Sequence, residues 1–450
     1  MGRFVDKLQN IKLVKTLTNI WRIEDLRSRI LITLLFVAIY RFGSYVVLPG
    51  IDTEALQGLR TQTEGGLMSL LDMFSGGAFS KASIFALGIM PYISASIVMQ
   101  LLGIAVPYFQ KMQREGESGR RKMSQYTRYL TVPILVFQGI FYLINLKTTT
   151  NSSAIYTSLD WNMFILYATI IPAAGSMFVL WLGERITDKG IGNGVSIIIM
   201  IGIIARFPDA VMQELKSRFA DGQGGLVMFL VEIVLFLAVI AAAILLVQGV
   251  RRVPVNYAKK IAGARQIGGA RQYIPLKPYA ANVMPIIFAQ AIMFIPVTLA
   301  QLSGSKLNPV VMQLIDNESF IYNLIFAVLI IVFTYLYTAI TINPVQMAED
   351  MKRNNGFIPG VKPGKDTADY IDKIMSRITF PGSLFLALIA ILPAFAGIFG
   401  VQREFAAFFG GTSLLILVGV VLDTLMQIES HLMMRHYDGL LDTGRVRGEH

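Results

Sequence analysis

Two glycine-rich stretches and three histidines are the residues that first invite a chemical reading. Gly360-Val361-Lys362-Pro363-Gly364-Lys365 has the glycines and lysines of a phosphate-binding loop. Too few residues separate its glycines, however, and Asp366 stands where Ser or Thr would hold a magnesium ion. Gly190-Ile191-Gly192-Asn193-Gly194 is richer in glycine, but it follows an apolar run rather than a strand and reads as a tight turn. His431, His436 and His450 lie near the C-terminal end, without the His-Glu-x-x-His spacing that puts two imidazoles on one helix face. No metal or cofactor site is expected. Cysteine is absent, which excludes disulfides and thiolate chemistry, and no nucleophile stands in a pattern with a base. These residue types point away from an enzyme. Any ATP the process requires is expected to be hydrolysed by another chain.

The elements available to position side chains are those of a membrane. Of the 450 residues 54% are hydrophobic and only 15% charged, against about 25% charged in a soluble domain. Long uncharged runs occur at 82–110, 161–183, 278–305, 319–348 and 378–402. Each exceeds the roughly 20 residues a helix needs to cross the hydrocarbon core. A backbone in lipid must satisfy its hydrogen bonds internally, so continuous runs of this length are helices. With the weaker runs the expectation is about ten spans, near 30–48, 84–106, 130–146, 163–182, 195–205, 226–247, 282–302, 320–342, 378–400 and 411–434. Charged residues inside these spans are few: Arg41, Glu232 and Asp423, with Glu429 following in the last. A proton- or ion-coupled transporter usually needs more at the midplane.

Lysine and arginine concentrate in 1–29, 107–129, 183–194, 248–281, 343–377 and 435–450, which places those segments and both termini on the cytoplasmic side. Residues 1–29 are charged throughout and lack the apolar core of a secretory signal. Phe4, Val5, Leu8 and Ile11 suit an amphipathic helix lying on the membrane. Two basic loops, 248–281 and 343–377, are long for a compact protein, and such loops are more often functional than not. In the first, Val253, Val255 and Tyr257 alternate with other residues ahead of Gly263, Gly268 and Gly269, the pattern of a β-hairpin. Arg251, Arg252, Lys259, Lys260 and, in the second loop, Lys362 are candidates for docking an acidic surface, ribosomal RNA included, without regard to its sequence. Attraction of anionic lipid is the simpler reading of the same charge.

Ahead of the second span, Met68–Gly77 is a short semi-apolar segment ending in a glycine pair. In the span itself Ile89 and Ile93 share a helix face, and Gly88, Ser94, Ala95 and Ser96 allow close helix contacts. Composition alone leads no further than a ten-span channel or transporter, or a sealed scaffold.

The residues themselves carry a resemblance. The run from Ser75 to Ser96 closely resembles the plug and second helix of the bacterial SecY family. So do Glu115–Lys122 with Gln125–Tyr129, Gly183–Gly194, Val255–Lys260, Lys362–Lys373 and Phe409–Ile416, in order from the first span to about Tyr437. The resemblance implies an all-α polytopic inner-membrane protein with ten helices in two inverted five-helix halves, here 30–205 and 226–434, joined by an outer loop at 206–225. It implies a passive channel that passes unfolded secretory proteins across the membrane and inserts membrane proteins into it. The constriction it implies is a ring of Ile89, Ile93, Ile199, Ile287 and Ile416, closed at rest by a plug within 67–75: Leu67, Met68, Leu70, Leu71, Asp72, Met73 and Phe74. It implies a lateral gate between spans two and seven, with Ile97, Gln100, Ala291 and Ile295 as its candidates. The implied partners are SecE, SecG, the motor ATPase SecA, the ribosome, signal sequences and nascent chains, SecDF-YajC and a YidC-type insertase. One departure stands out. Lys362 occupies a position where the family usually carries arginine, which keeps the charge but loses the planar fork of donors.

Overall fold

The computed structural model describes residues 23–52, 56, 72–149, 155, 160–220, 225–257, 260–262, 265–267, 271–278, 284–290, 292–293 and 319–443. The chain falls into two compact units, Met1–Pro208 with Val420–His450, and Asp209–Gly419. Among the described residues seven helices are long and apolar enough to cross a membrane, or eight if one bent pair is counted as a single span.

The first unit opens with α1 (Glu24–Gly43), apolar between Arg29 and Arg41. It starts and stops about one and a half turns earlier than the expected 30–48. After it the chain forms turns from Ser75 to Ile89 before α2 (Met90–Ala105) begins. The second span is therefore helical only from Met90, not from residue 84. Val106 is extended and Pro107 opens α3 (Pro107–Arg114), which turns away from α2 by 101°. The ring of a proline disfavours helical dihedrals in the residue before it, so the break falls at Val106. Next come α4 (Glu117–Thr149) and α5 (Trp161–Lys189), long helices that contain Pro133 and Pro172. The core of this unit gathers Leu48, Phe79, Ala82, Leu87, Leu135, Tyr142, Leu143 and Phe164. Gly175 of α5 lies against the turns ahead of α2, where a Cβ would stand 2.2 Å from the Ile84 carbonyl oxygen.

A glycine turn leads into α6 (Gly194–Ala220). This helix corrects the expected outer loop at 206–225, because it continues through Pro208 to Ala220. Loss of the amide donor at Pro208 is tolerated where neighbouring groups satisfy the freed carbonyl.

In the second unit, α7 (Gly225–Gln248) carries Glu232 as its one ionisable residue and leaves Val227, Leu230, Val234 and Leu245 exposed on its surface, as a lipid-facing helix does. The expected hairpin follows. β1 (Arg251–Tyr257) pairs antiparallel with β4 (Arg271–Leu276), register Arg251↔Leu276, around the smaller pair β2 (Lys260–Ala262) and β3 (Arg265–Ile267). Residues 284–290 and 292–293 are helical where the seventh span is expected. α8 (Phe320–Thr341) is followed by α9 (Pro344–Arg353), whose first amides at Val345 and Gln346 are capped by the Asn343 side chain. The segment 343–377 is therefore not a loop. After α9 the chain adds β5 (Gly356–Phe357) to the free edge of β1 at Asn256 and Tyr257. It then turns and enters α10 (Lys365–Ile398). Pro254 has no amide to donate, which agrees with β5 pairing only beyond it. Val253, Val255, Leu276, Met351, Ile358, Ile371 and Met375 form a separate small core that fixes the hairpin to α9 and α10. The short α11 (Arg403–Ala406) precedes α12 (Gly411–Thr443), which continues well into the expected 435–450 tail.

Candidate functional site

From Asp72 to Ile89 one helical turn is followed by irregular backbone, which the first unit holds through several side-chain contacts. Asp72 is wholly buried. Its Oδ1 accepts from the Ser80 amide at 2.7 Å and its Oδ2 pairs with Arg206 Nη1 of α6 at 2.8 Å. Ser75 Oγ donates to the Asp72 carbonyl and accepts from the Phe79 amide. Tyr40 of α1 donates to the Ser75 carbonyl, Arg41 to the Gly76 carbonyl, and Tyr142 of α4 to the Phe79 carbonyl. Arg41 therefore does not reach out toward water as an unengaged charge. It holds this turn.

Asp72, Met73 and Phe74 form one helical turn buried in the first unit, while Leu67, Met68, Leu70 and Leu71 lie outside the described residues. Ile89 stands at the junction where the turns become α2, and Ile93 lies one helical turn on. Both are buried, as is Ile199 on α6. In the second unit Ile416 is buried on α12 and Ile287 is half-buried in the helical stretch 284–290. Ile97 is buried on α2, and Gln100 on the same helix donates to Ser96 Oγ at 3.2 Å. Ala291 and Ile295 lie outside the described residues. Arg251 and Arg252 are exposed at the start of β1, and Lys362 is exposed in the turn before α10, its carbonyl accepting from Thr367 Oγ1. Lys260 belongs to β2, and Lys259 lies outside the described residues.

The glycine turn is no phosphate cradle. The amide of Gly190 donates to the Ile186 carbonyl, that of Ile191 to Thr33 Oγ1, that of Gly192 to Gln427 Oε1 and that of Gly194 to Thr187 Oγ1. Donors already engaged by the protein are not free for an anion. Among the described residues no group of three or more His, Asp or Glu side chains is arranged to hold a metal ion.

A second charged cluster was not foreseen. Arg218 of α6 binds Glu214 Oε1 through Nε at 2.8 Å, Glu232 of α7 through Nη2, and the Gly400 carbonyl at 2.9 Å. Glu214 Oε2 accepts from the Gln402 amide, and Gln402 Nε2 donates to Ser217 Oγ. All three charged residues are buried. Arg206, Glu214 and Arg218 were missed because a polar stretch after an apolar run reads as a loop. The i,i+4 spacing of Glu214 and Arg218 was the available sign of a helix. Asp423 is exposed on α12.

Residues 83–425 match the family model described as SecY. The chain is 42% identical to the protein translocase subunit SecY of Streptomyces scabiei over 436 residues, 94% of this chain and 98% of that protein. It is 40% identical to that of Vibrio cholerae over 434 residues, 95% and 96% of the two. Among solved structures it is similar to one described as a protein conducting channel, with TM-score 0.62 and 16% identity over 94% of this chain and 95% of that one. A second concerns the plug domain of SecY, which is said there to stabilise the closed state and maintain a membrane seal (TM-score 0.58, 16% identity, 94% and 95% covered). A third is Sec61 in a canine ribosome–channel complex (TM-score 0.58, 15% identity, 94% and 95% covered).

Proposed function

The chain belongs to the SecY family, a multi-pass channel subunit of a protein translocase, and from that premise we propose how its own residues carry out the task. Ile89, Ile93, Ile199, Ile287 and Ile416 form the constriction of the polypeptide path. An apolar gap too narrow to hold water cheaply dewets, and a dewetted gap stops ions. Branched side chains also close around a moving chain without offering it a strong bond. The segment 67–75 is the plug that occupies the path at rest. The gate at Ile97, Gln100, Ala291 and Ile295 lets a sufficiently apolar segment leave sideways, because such a helix is more stable in hydrocarbon than in a wet path.

The observation that supports this reading best is the irregular backbone from Ser75 to Ile89 at the head of the second span. Non-helical backbone at membrane depth is tolerated only where it is buried in protein or lines a cavity. Here it leads directly into Ile89. The basic module of Arg251, Arg252, Lys259, Lys260 and Lys362 docks the ribosome and the motor SecA, which supplies the ATP hydrolysis. SecE, SecG, SecDF-YajC and a YidC-type insertase complete the assembly in the inner membrane, with both termini cytoplasmic.

Reconstitution tests the reading against a small-solute transporter. Proteoliposomes holding the purified complex, with SecA and ATP, should protect an added preprotein from external protease and should accumulate no small solute against a gradient. Solute uptake without preprotein protection would contradict it.

A further inference from the structure

The described end of the plug, Asp72–Phe74, and the turn at Ser75 and Gly76 that follows it form a stem seated along one stripe of α6. Ile199, Gly202 and Arg206 are spaced by three and four residues and so share a helix face. A Cβ on Gly202 would stand 2.9 Å from the Phe74 carbonyl oxygen and 3.2 Å from the Gly76 nitrogen, so the backbone of the turn lies flush on the helix there. One turn further along, Arg206 meets Asp72 at 2.8 Å. Asp72 is wholly buried, whereas the Arg206 side chain keeps 20% of its surface exposed. The other stem bonds, from Tyr40, Arg41 and Tyr142, end on neutral carbonyl oxygens. Among these contacts of described residues, the one with α6 joins two full charges.

We propose that the Asp72–Arg206 pair is the latch that holds the plug stem against α6, so that the channel opens only when an arriving signal segment displaces it. The proposal rests on the channel reading above. A carboxylate enclosed in protein needs its counter-charge, and removing one partner leaves an uncompensated charge. Once the stem leaves its seat, both groups meet water and the pair is no longer needed. The pair therefore stabilises the seated state over the displaced one, the differential interaction a gate requires. Its place on the stripe that carries Ile199 links seal, seat and latch on one helix. Arg206 is on this account a positioning residue and does not touch the translocating chain.

Purified complexes carrying Asp72→Asn, Arg206→Gln, both together, or Arg206→Lys are recorded in a planar bilayer without substrate, with Ile89→Asn as a conducting control. The two neutral variants should raise the resting open probability at least about tenfold and accept preproteins with weakened signal sequences. The double variant should be no leakier than either single one, because each already removes the pair, and Arg206→Lys should stay near the parent. Neutral variants that accumulate normally and stay closed while Ile89→Asn conducts overturn the latch alone. If Ile89→Asn is also silent in a stable protein, the isoleucine seal falls and the latch with it. If neither neutral variant accumulates although Arg206→Lys does, the pair is a folding element and the proposal is overturned.

Discussion

Arg218 shows what a single side chain is asked to do in this protein. It sits between Glu214 and Glu232 and reaches the Gly400 carbonyl, so it ties α6, α7 and the turn after α10 at one point. Replacing Arg218 with Met removes the counter-charge of two enclosed carboxylates. The expected cost is about 3–5 kcal/mol, the range for breaking a buried pair from one side, seen as a clear drop in melting temperature of the purified complex. Changing Glu214, Arg218 and Glu232 together to apolar residues of similar size should recover most of that loss, because no charge is left unpaired. A triple variant as unstable as Arg218→Met would show that the cluster matters through packing rather than charge. A milder case is Thr412, whose Oγ1 hydrogen-bonds to Gln290 Oε1 at 2.9 Å between two buried side chains. Thr412→Val should cost only about 0.6 kcal/mol, the average for such bonds between helices in membranes.

At the scale of elements, the hairpin, α9 and α10 act as a separate module with its own small core. Arg251→Glu with Arg252→Glu changes exposed charge and leaves Val253 and Val255 in place. Ribosome binding should weaken and fall more steeply with salt, while melting temperature is unchanged. Equal binding at low and moderate salt would remove the docking role from this strand. Lys362→Glu should impair motor-driven secretion more than insertion of multispan proteins, and equal loss of both would indicate misfolding. The hairpin was legible in the sequence because Val253, Val255 and Tyr257 alternate with other residues and glycines mark the turn. The continuation of α6 to Ala220 was not. Hydropathy is blind to a helix whose polar groups satisfy one another, and only the fold brings Arg206 to Asp72 or Arg218 to Glu232. The start of α2 was overread for a related reason. Residues 82–89 are apolar whether coiled in a helix or folded in turns, and their burial against Gly175 and α4, not their composition, decides between the two.

For the whole molecule the central claim is that a ring of isoleucines, not a bound group or a moving charge, seals the path. Family and fold class follow from motifs and hydropathy in the sequence, although several span bounds do not. The seal does not, because a buried isoleucine in a pore and a buried isoleucine in a core look alike in sequence. Ile89 is 2% exposed, which suits either. Ile89→Asn separates the two. In a core, an unpaired amide costs roughly 1–3 kcal/mol and lowers abundance. In a constriction it gives water a reason to stay. The deciding measurement is the resting ion conductance of the purified Ile89→Asn complex in a planar bilayer, with its melting temperature taken alongside. The account predicts raised conductance at near-parental stability, and the same for Ile416→Asn. A stable Ile89→Asn protein that conducts no more than the parent would contradict it.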